Sequence, residues 1–334
     1  MRRLGGGAVV LALVWSAWWI VAMLGLRQSV EGWLEERRAA SWQAEASALR
    51  ISGYPTRLDL SLEDVALADP VRGLAVGADS LQISSAAWWP GHSTLSFPAT
   101  PIAIAVPGGR ADLAAENALA ALRLHPGQAL ELDKMSVSSG AWFATDARGD
   151  LIAADDLSML MVQSETEAAR YSFEASVSSL TPGQALRDDL RTPESWPLSF
   201  DALSLDMEVL FDRRWDLAAI EGLRPQPRAI ALKLAEASWG SLQLRASGDV
   251  TVDDAGLPEG VLSLQVRNWR QMVEVAEATG ALPSALRSQT ERVLAALAGA
   301  SGNPDAIDVS LTLANGVISL GFIPLAPAPR LILR

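Results

Sequence analysis

Apolar and polar residues alternate along most of this chain. From Thr56 to Leu62 the alternation is strict: Leu58, Leu60 and Leu62 point one way, Arg57, Asp59 and Ser61 the other. That period of two predicts a half-buried strand. The apolar positions then shift by one residue, to Val65 and Leu67, so a β-bulge is expected near Glu63–Asp64. Ahead of the strand, Gly53 and Pro55 fit an edge or a corner. The signature recurs at Leu81 and Ile83, before a turn at Trp88–Gly91, and at Leu157 to Met161, Tyr171 to Val177, Leu203 to Phe211 and Ile230 to Leu234. Leu130 and Leu132 give way to Met135 and Val137 with a second slip of phase. Leu242 to Val252 pairs with Leu262 to Val266, and Ile307 to Leu313 with Ile318, Leu320 and Phe322 across Asn315–Gly316. Most of these strands carry a polar face, which points to antiparallel pairing, since parallel strands are apolar on both faces.

Helical spacing is confined to a few places. Arg2 and Arg3 precede an uncharged run from Leu4 to Leu26, whose 23 residues reach roughly 34 Å, against a bilayer core of about 30 Å. A cleaved signal peptide ends in small residues, whereas this run ends in WSAWWIVAMLGL, so residues 1–26 read as a retained transmembrane anchor. The leading charge predicts a cytoplasmic N-terminus. Trp15, Trp18 and Trp19 lie near mid-span, which suits an interfacial belt poorly; they face a partner helix or lipid. A juxtamembrane helix is expected over 27–47, with Val30, Trp33, Leu34, Arg37 and Ser41 on one face. A helical pair over 268–299 has Trp269, Met272, Val273 and Ala276 on one face, then Leu286, Val293, Leu294 and Leu297 after Pro283. A short helix is placed at Gln184–Leu190, within a Pro-rich strip from Thr181 to Pro197 that marks the boundary between halves 48–190 and 191–334. The expected fold class is mainly β (α+β): antiparallel curved sheets with a few capping helices, behind an N-terminal transmembrane helix.

Charge and composition remove several functions. A net charge of −12 and the lack of a basic aromatic patch argue against nucleic-acid binding. With no cysteine there is no disulfide, thiolate nucleophile or Cys-based metal site. The two histidines, His92 and His125, each sit beside Pro or Gly in a predicted turn, and no Ser occupies a nucleophile elbow. Gly5–Gly7 lies in the anchor without the Lys-Ser/Thr of a phosphate loop. Asp249, Asp253, Asp254 and Glu259 offer hard oxygens for calcium, but lack EF-hand spacing and read as an ordinary acidic hairpin turn. A non-enzymatic protein without metal or cofactor is expected.

The apolar face remains. One reading is a packed core, the other an open groove that holds acyl chains, lined by Leu58, Leu60, Leu62, Leu81, Ile83, Leu203, Leu205, Met207, Leu232 and Leu242. The groove implies a lipid-handling module with phospholipid as partner; the packed core implies a structural or assembly factor working through envelope proteins. A hydrolase is a third reading and requires a polar cleft at His92 or His125.

The stretches ISGYPTRLDLSLEDVALADP, LHPGQALELD, GSLQLRASGDVTVDDAGLPEGVLSLQVRNWRQMVE and LANGVISLGFIPLAPAP, behind an Arg-led anchor, resemble the uncharacterised proteobacterial family called domain of unknown function 2125. The resemblance covers nearly the whole chain, implies a Gram-negative source and brings no catalytic residues. More loosely, the last strands are similar to the AsmA-like group, which implies an inner-membrane anchor, a periplasmic β-rich body and a part in phospholipid movement and envelope integrity. This chain is one short module by comparison, too short to bridge a periplasm.

Overall fold

A computed structural model describes residues 2–189, 191–194, 196–222, 224–280, 282–300, 303–321 and 323–333. They form two compact units, the first made of 1–124 with 144–147, the second of 125–143 with 148–334.

The first unit opens with α1 (Arg2–Ala39), followed by β1 (Gln43–Glu45), β2 (Ala48–Ser52), β3 (Arg57–Asp69), β4 (Leu74–Ala86), β5 (Trp89–Ser96), β6 (Ile102–Val106), β7 (Gly109–Ala115) and β8 (Leu119–Leu124). Anchor and juxtamembrane segment are thus one helix, but it stops at Ala39. Ser41 turns the chain in a left-handed conformation, and Gln43–Glu45, expected to be helical, pairs with β3 instead. β1 and β2 share one edge of β3 and β4 takes the other, all antiparallel. The phase shift in β3 is real: Leu58, Leu60 and Val65 are buried. Its cause is not a slipped register, because β3 and β4 keep one register from Arg57↔Ala86 to Asp69↔Leu74. Asp64 takes φ 48° and turns the pleat over within an unbroken ladder. The Gly53 hinge links β2 to β3. Gly53 has φ 99°, and a Cβ there would lie 2.7 Å from Asp59 Oδ2, so the corner admits only glycine.

The second unit holds β9 (Leu132–Ser139), the start of β10 (Trp142–Asp146), β11 (Gly149–Ala154), β12 (Leu157–Gln163), β13 (Arg170–Pro182), α2 (Gln184–Asp189), β14 (Phe200–Phe211), α3 (Leu217–Glu221), β15 (Pro227–Trp239), β16 (Leu242–Val252), β17 (Pro258–Arg267), α4 (Trp269–Ala278), α5 (Ser284–Ala300), β18 (Ala306–Ala314), β19 (Val317–Leu320) and β20 (Ile323–Pro327). β9, β12, β13, β14, β15, β16, β17, β18, β19 and β20 follow one another as antiparallel neighbours. The Pro-rich strip read as a boundary joins β13 to β14, which pair directly, so it lies inside the ladder; the compact units part after Leu124. Arg187 of α2 is buried and closes the strip by donating to Pro197 O at 3.1 Å and Leu198 O at 3.2 Å. The Asn315–Gly316 hairpin forms, with φ 52° and 73° at its two central residues. Leu190 and Phe322, included in the expected helix and strand, fall outside the described residues.

The helical pair packs as a cap. Trp269, Val273 and Ala298 join Leu242, Val266, Ile307 and Trp196 in one buried cluster, with Leu294 and Leu297 against it. Leu286 and Val293, expected on the same side, are exposed.

Candidate functional site

The ten residues expected to line a groove divide evenly between the units. In the first, Leu58 and Leu60 are 3% and 2% exposed and belong to a filled core; Leu62, Leu81 and Ile83 are half-buried cross-strand neighbours of that core. In the second, Leu242 is packed beneath the helical cap. The other four, Leu203, Leu205, Met207 and Leu232, are half-buried and adjacent.

These four belong to a band that crosses the ladder of the second unit. One row runs Leu232, Met207, Phe173, Met161, Met135 through successive cross-strand pairs. The next runs Ala235, Leu205, Ala175, Met159, Val137, and a third sets Leu203 between Ala237 and Val177. Leu205 on β14 is flanked on both sides by alanine, Ala235 and Ala175. The register shifts at Asp206/Met207 and again between Leu232 and Ala235, which bends the band at its middle. Beyond one end of the band Phe200 is stacked on Trp239 at 4.5 Å, and Trp196 is edge-on to Trp239. The other meets Tyr171, Phe211 and Trp215, which contact one another edge to face. Burial pushes the Tyr171 phenol above its usual range; its oxygen accepts from Trp215 N at 3.0 Å and from Gln163 Nε2 at 3.3 Å, which works the other way. The reverse face is charged: Lys233 reaches Glu208 at 2.7 Å and Asp206 at 3.8 Å, and its hydrogen bond holds the Glu208 carboxyl below the usual carboxylate range.

A second arrangement joins α1 to the first unit. Trp15 Nε1 donates to Pro55 O at 2.8 Å, Trp19 Nε1 to Arg57 O at 2.8 Å and Trp18 Nε1 to Ala87 O at 3.3 Å. Ser16 Oγ lies 2.8 Å from the Tyr54 hydroxyl, and the Trp19 and Tyr54 rings meet edge to face at 5.5 Å. Trp19, Leu58 and Ala87 form a buried cluster flanked by Trp15, Ala22, Met23, Leu26 and Ile51. Farther along the helix Leu34 is buried and Arg38 Nε donates to Ala44 O at 2.7 Å. Arg37 lies against the rings of Trp33 and Trp42 at 5.4 and 5.3 Å. The tryptophans read as facing a helix or lipid therefore bind the turns of their own β-domain. The signal was present in WSAWW, since an indole N–H in an apolar run needs an acceptor from elsewhere.

The candidate chemistry is more ordinary. His92 lies on β5, not in a turn, and lines a hollow of about 390 Å³ with Thr56, Arg57, Ser84, Ser85, Trp88 and Thr94. The Ser84 hydroxyl is held between Asp59, to which it donates, and Arg57, from which it accepts. His125 is bonded to Gln163 Oε1 at 2.8 Å, with Asp133 at 4.0 Å. In the acidic turn Asp253 accepts from Leu257 N at 2.8 Å and Asp254 pairs with Arg228.

No curated protein matches this chain. A family model described as an uncharacterized protein conserved in bacteria (DUF2125) matches residues 19–329, and that span takes in both the docked helix face from Trp19 onward and the whole apolar band. The chain belongs to this bacterial family.

Proposed function

We propose that this chain is a membrane-anchored, non-enzymatic lipid-binding module of the bacterial envelope. α1 crosses the inner membrane with its N-terminus in the cytoplasm, and the β units lie in the periplasm. α1 is long and apolar enough to cross a membrane. Its retention is favoured by packing: cleavage would bare Leu58 and Ala87 and strip the donors from three carbonyls. The observation that carries the reading is the half-buried band of Leu203, Leu205, Met207 and Leu232, between two aromatic ends and above a charged reverse face. Acyl chains suit such a surface, which offers area and no polar selectivity.

The test is native mass spectrometry of the full-length protein released from detergent. Retained phospholipid is expected, lost in Leu205→Asp and reduced in Leu205→Trp, while Ser204→Asp on the polar face keeps it. A lipid-free mass for the wild type would sink the proposal. The second reading, an assembly factor acting through protein contacts, draws on Leu286 and Val293, which α5 leaves exposed. A co-purifying protein lost in Val293→Asp would favour it.

A further inference from the structure

The end of the first unit that carries the Gly53–Thr56 and Ala87–Trp88 turns is also the end held by the tryptophans of α1. We infer that this end is seated in the bilayer leaflet on its own side of the membrane. The inference rests on α1 being a retained anchor.

The first argument is depth. The apolar run ends at Leu26. At about 1.5 Å per residue, Trp19 lies roughly 10 Å and Trp15 roughly 17 Å back along the helix from that end. The carbonyls they bind, on Pro55 and Arg57, lie at the same level. If the turns stayed clear of the apolar layer, the span would shrink to Leu4–Val14, about 17 Å, near half the thickness of a bilayer core. A full span requires the turns to enter.

The second argument is what the bilayer would touch. The face of α1 turned away from the β-domain carries Val10, Leu13, Val14, Val21 and Leu24, all exposed, and Trp18 at its flank is half exposed. Beside it, Tyr54 is 56% and Trp88 63% exposed. Exposed apolar side chains on both helix and turns call for a cover, and lipid already covers the helix.

The third argument is hydrogen bonding. Backbone groups in lipid must be satisfied within the protein, because each one left open costs several kcal/mol. Here Arg57 N donates to Gly53 O at 2.9 Å and Ala87 N to Thr56 O at 3.0 Å. The outward carbonyls of Pro55, Arg57 and Ala87 take the three indole N–H groups, and Pro55 has no N–H to place. In water these carbonyls would need no such service. The Arg57 charge is matched within the protein by Asp59 at 3.1 Å.

The chain has no cysteine, so single-cysteine labelling is clean. Full-length Trp88→Cys and Thr56→Cys would carry a nitroxide in vesicles of phosphatidylethanolamine with phosphatidylglycerol. Val71→Cys is the control: Val71 is 88% exposed in the turn at the far end of β3. Collisional broadening should be severalfold stronger with oxygen, which concentrates in lipid, than with an aqueous nickel chelate at 88 and 56, and reversed at 71. Water-like values at 88 and 56, with α1 present by intact mass and wild-type circular dichroism, overturn the inference alone. An intact mass lacking α1 overturns it together with the anchor. Lipid-free native spectra with buried labels at 88 and 56 overturn the lipid-binding reading and leave this one standing.

Discussion

β3 and β14 carry the same pattern of alternating leucines, yet they end in different surroundings. The face of β3 is covered at Leu58 by the chain's own N-terminal helix, and Leu60 beside it is sealed as well. The matching face of β14 is packed only near its ends, and Leu203, Leu205 and Met207 between them stay half-buried. Alternation states which face is apolar; it does not state what covers that face. The difference between the two strands is the difference between a sealed core and a half-buried surface.

The largest break in that comparison should come from a charge. Leu60→Asp places an unpaired carboxylate in a sealed core, at a cost of about 3 kcal/mol or more, and should abolish folding. Leu205→Asp, in the half-buried band, should leave the urea transition cooperative. Equal losses at the two sites in urea titrations would erase the distinction. Trimming gives the milder version: about 2–5 kcal/mol for Leu58→Ala and clearly less for Leu203→Ala.

A smaller effect is expected where one hydrogen bond is removed from a packed ring. Trp19→Phe keeps the apolar contact and leaves Arg57 O without its donor, which should cost about 1–3 kcal/mol. It should also loosen α1 from the β-domain, seen as faster proteolysis between α1 and β1. Tyr171→Phe, at the aromatic end of the band, orphans Trp215 N–H and should cost a similar amount. The pH dependence separates the two. Because the folded phenol holds its proton above the ordinary tyrosine value of 10.0, unfolded chains release theirs first. Stability therefore falls as pH rises past that value, and Tyr171→Phe should remove this part of the alkaline loss in thermal melts.

The smallest effect belongs to the charged reverse face. Glu208→Gln removes the partner of Lys233, on a surface open to water. The depressed Glu208 pKa means that this contribution is present above the ordinary carboxylate range and fades as acid protonates the folded form. A slight loss of melting temperature at neutral pH, shrinking on acidification and in high salt, is expected.

Much of the fold could be read in advance because its signals are local. Period-two leucines, the Asn315–Gly316 turn and the Pro283 helix start act within a few residues. The phase shift in β3 was legible as well, although its agent, a left-handed Asp64 in an unbroken register, was not. The partners of Trp15, Trp18 and Trp19 lie 40, 69 and 38 residues away, which is why the tryptophans looked misplaced in a membrane span. Of the expected groove, Leu203, Leu205, Met207 and Leu232 come together, while Leu58 and Leu242 are buried by helices that pack on them from outside the strand's own periodicity. Leu286 and Val293 show the same limit from the other side, since helical spacing alone placed them inward.

The docking of α1 also sets a mechanical condition. A leash lets its load drift by the length of the slack, but bonds from Trp15 through Arg38 fasten this helix along the first unit and leave no slack. That unit is a rigid outrigger, and any tilt of the helix is a tilt of β3. It cannot swing out from the helix, so whatever fixes α1 in place fixes β3 with it.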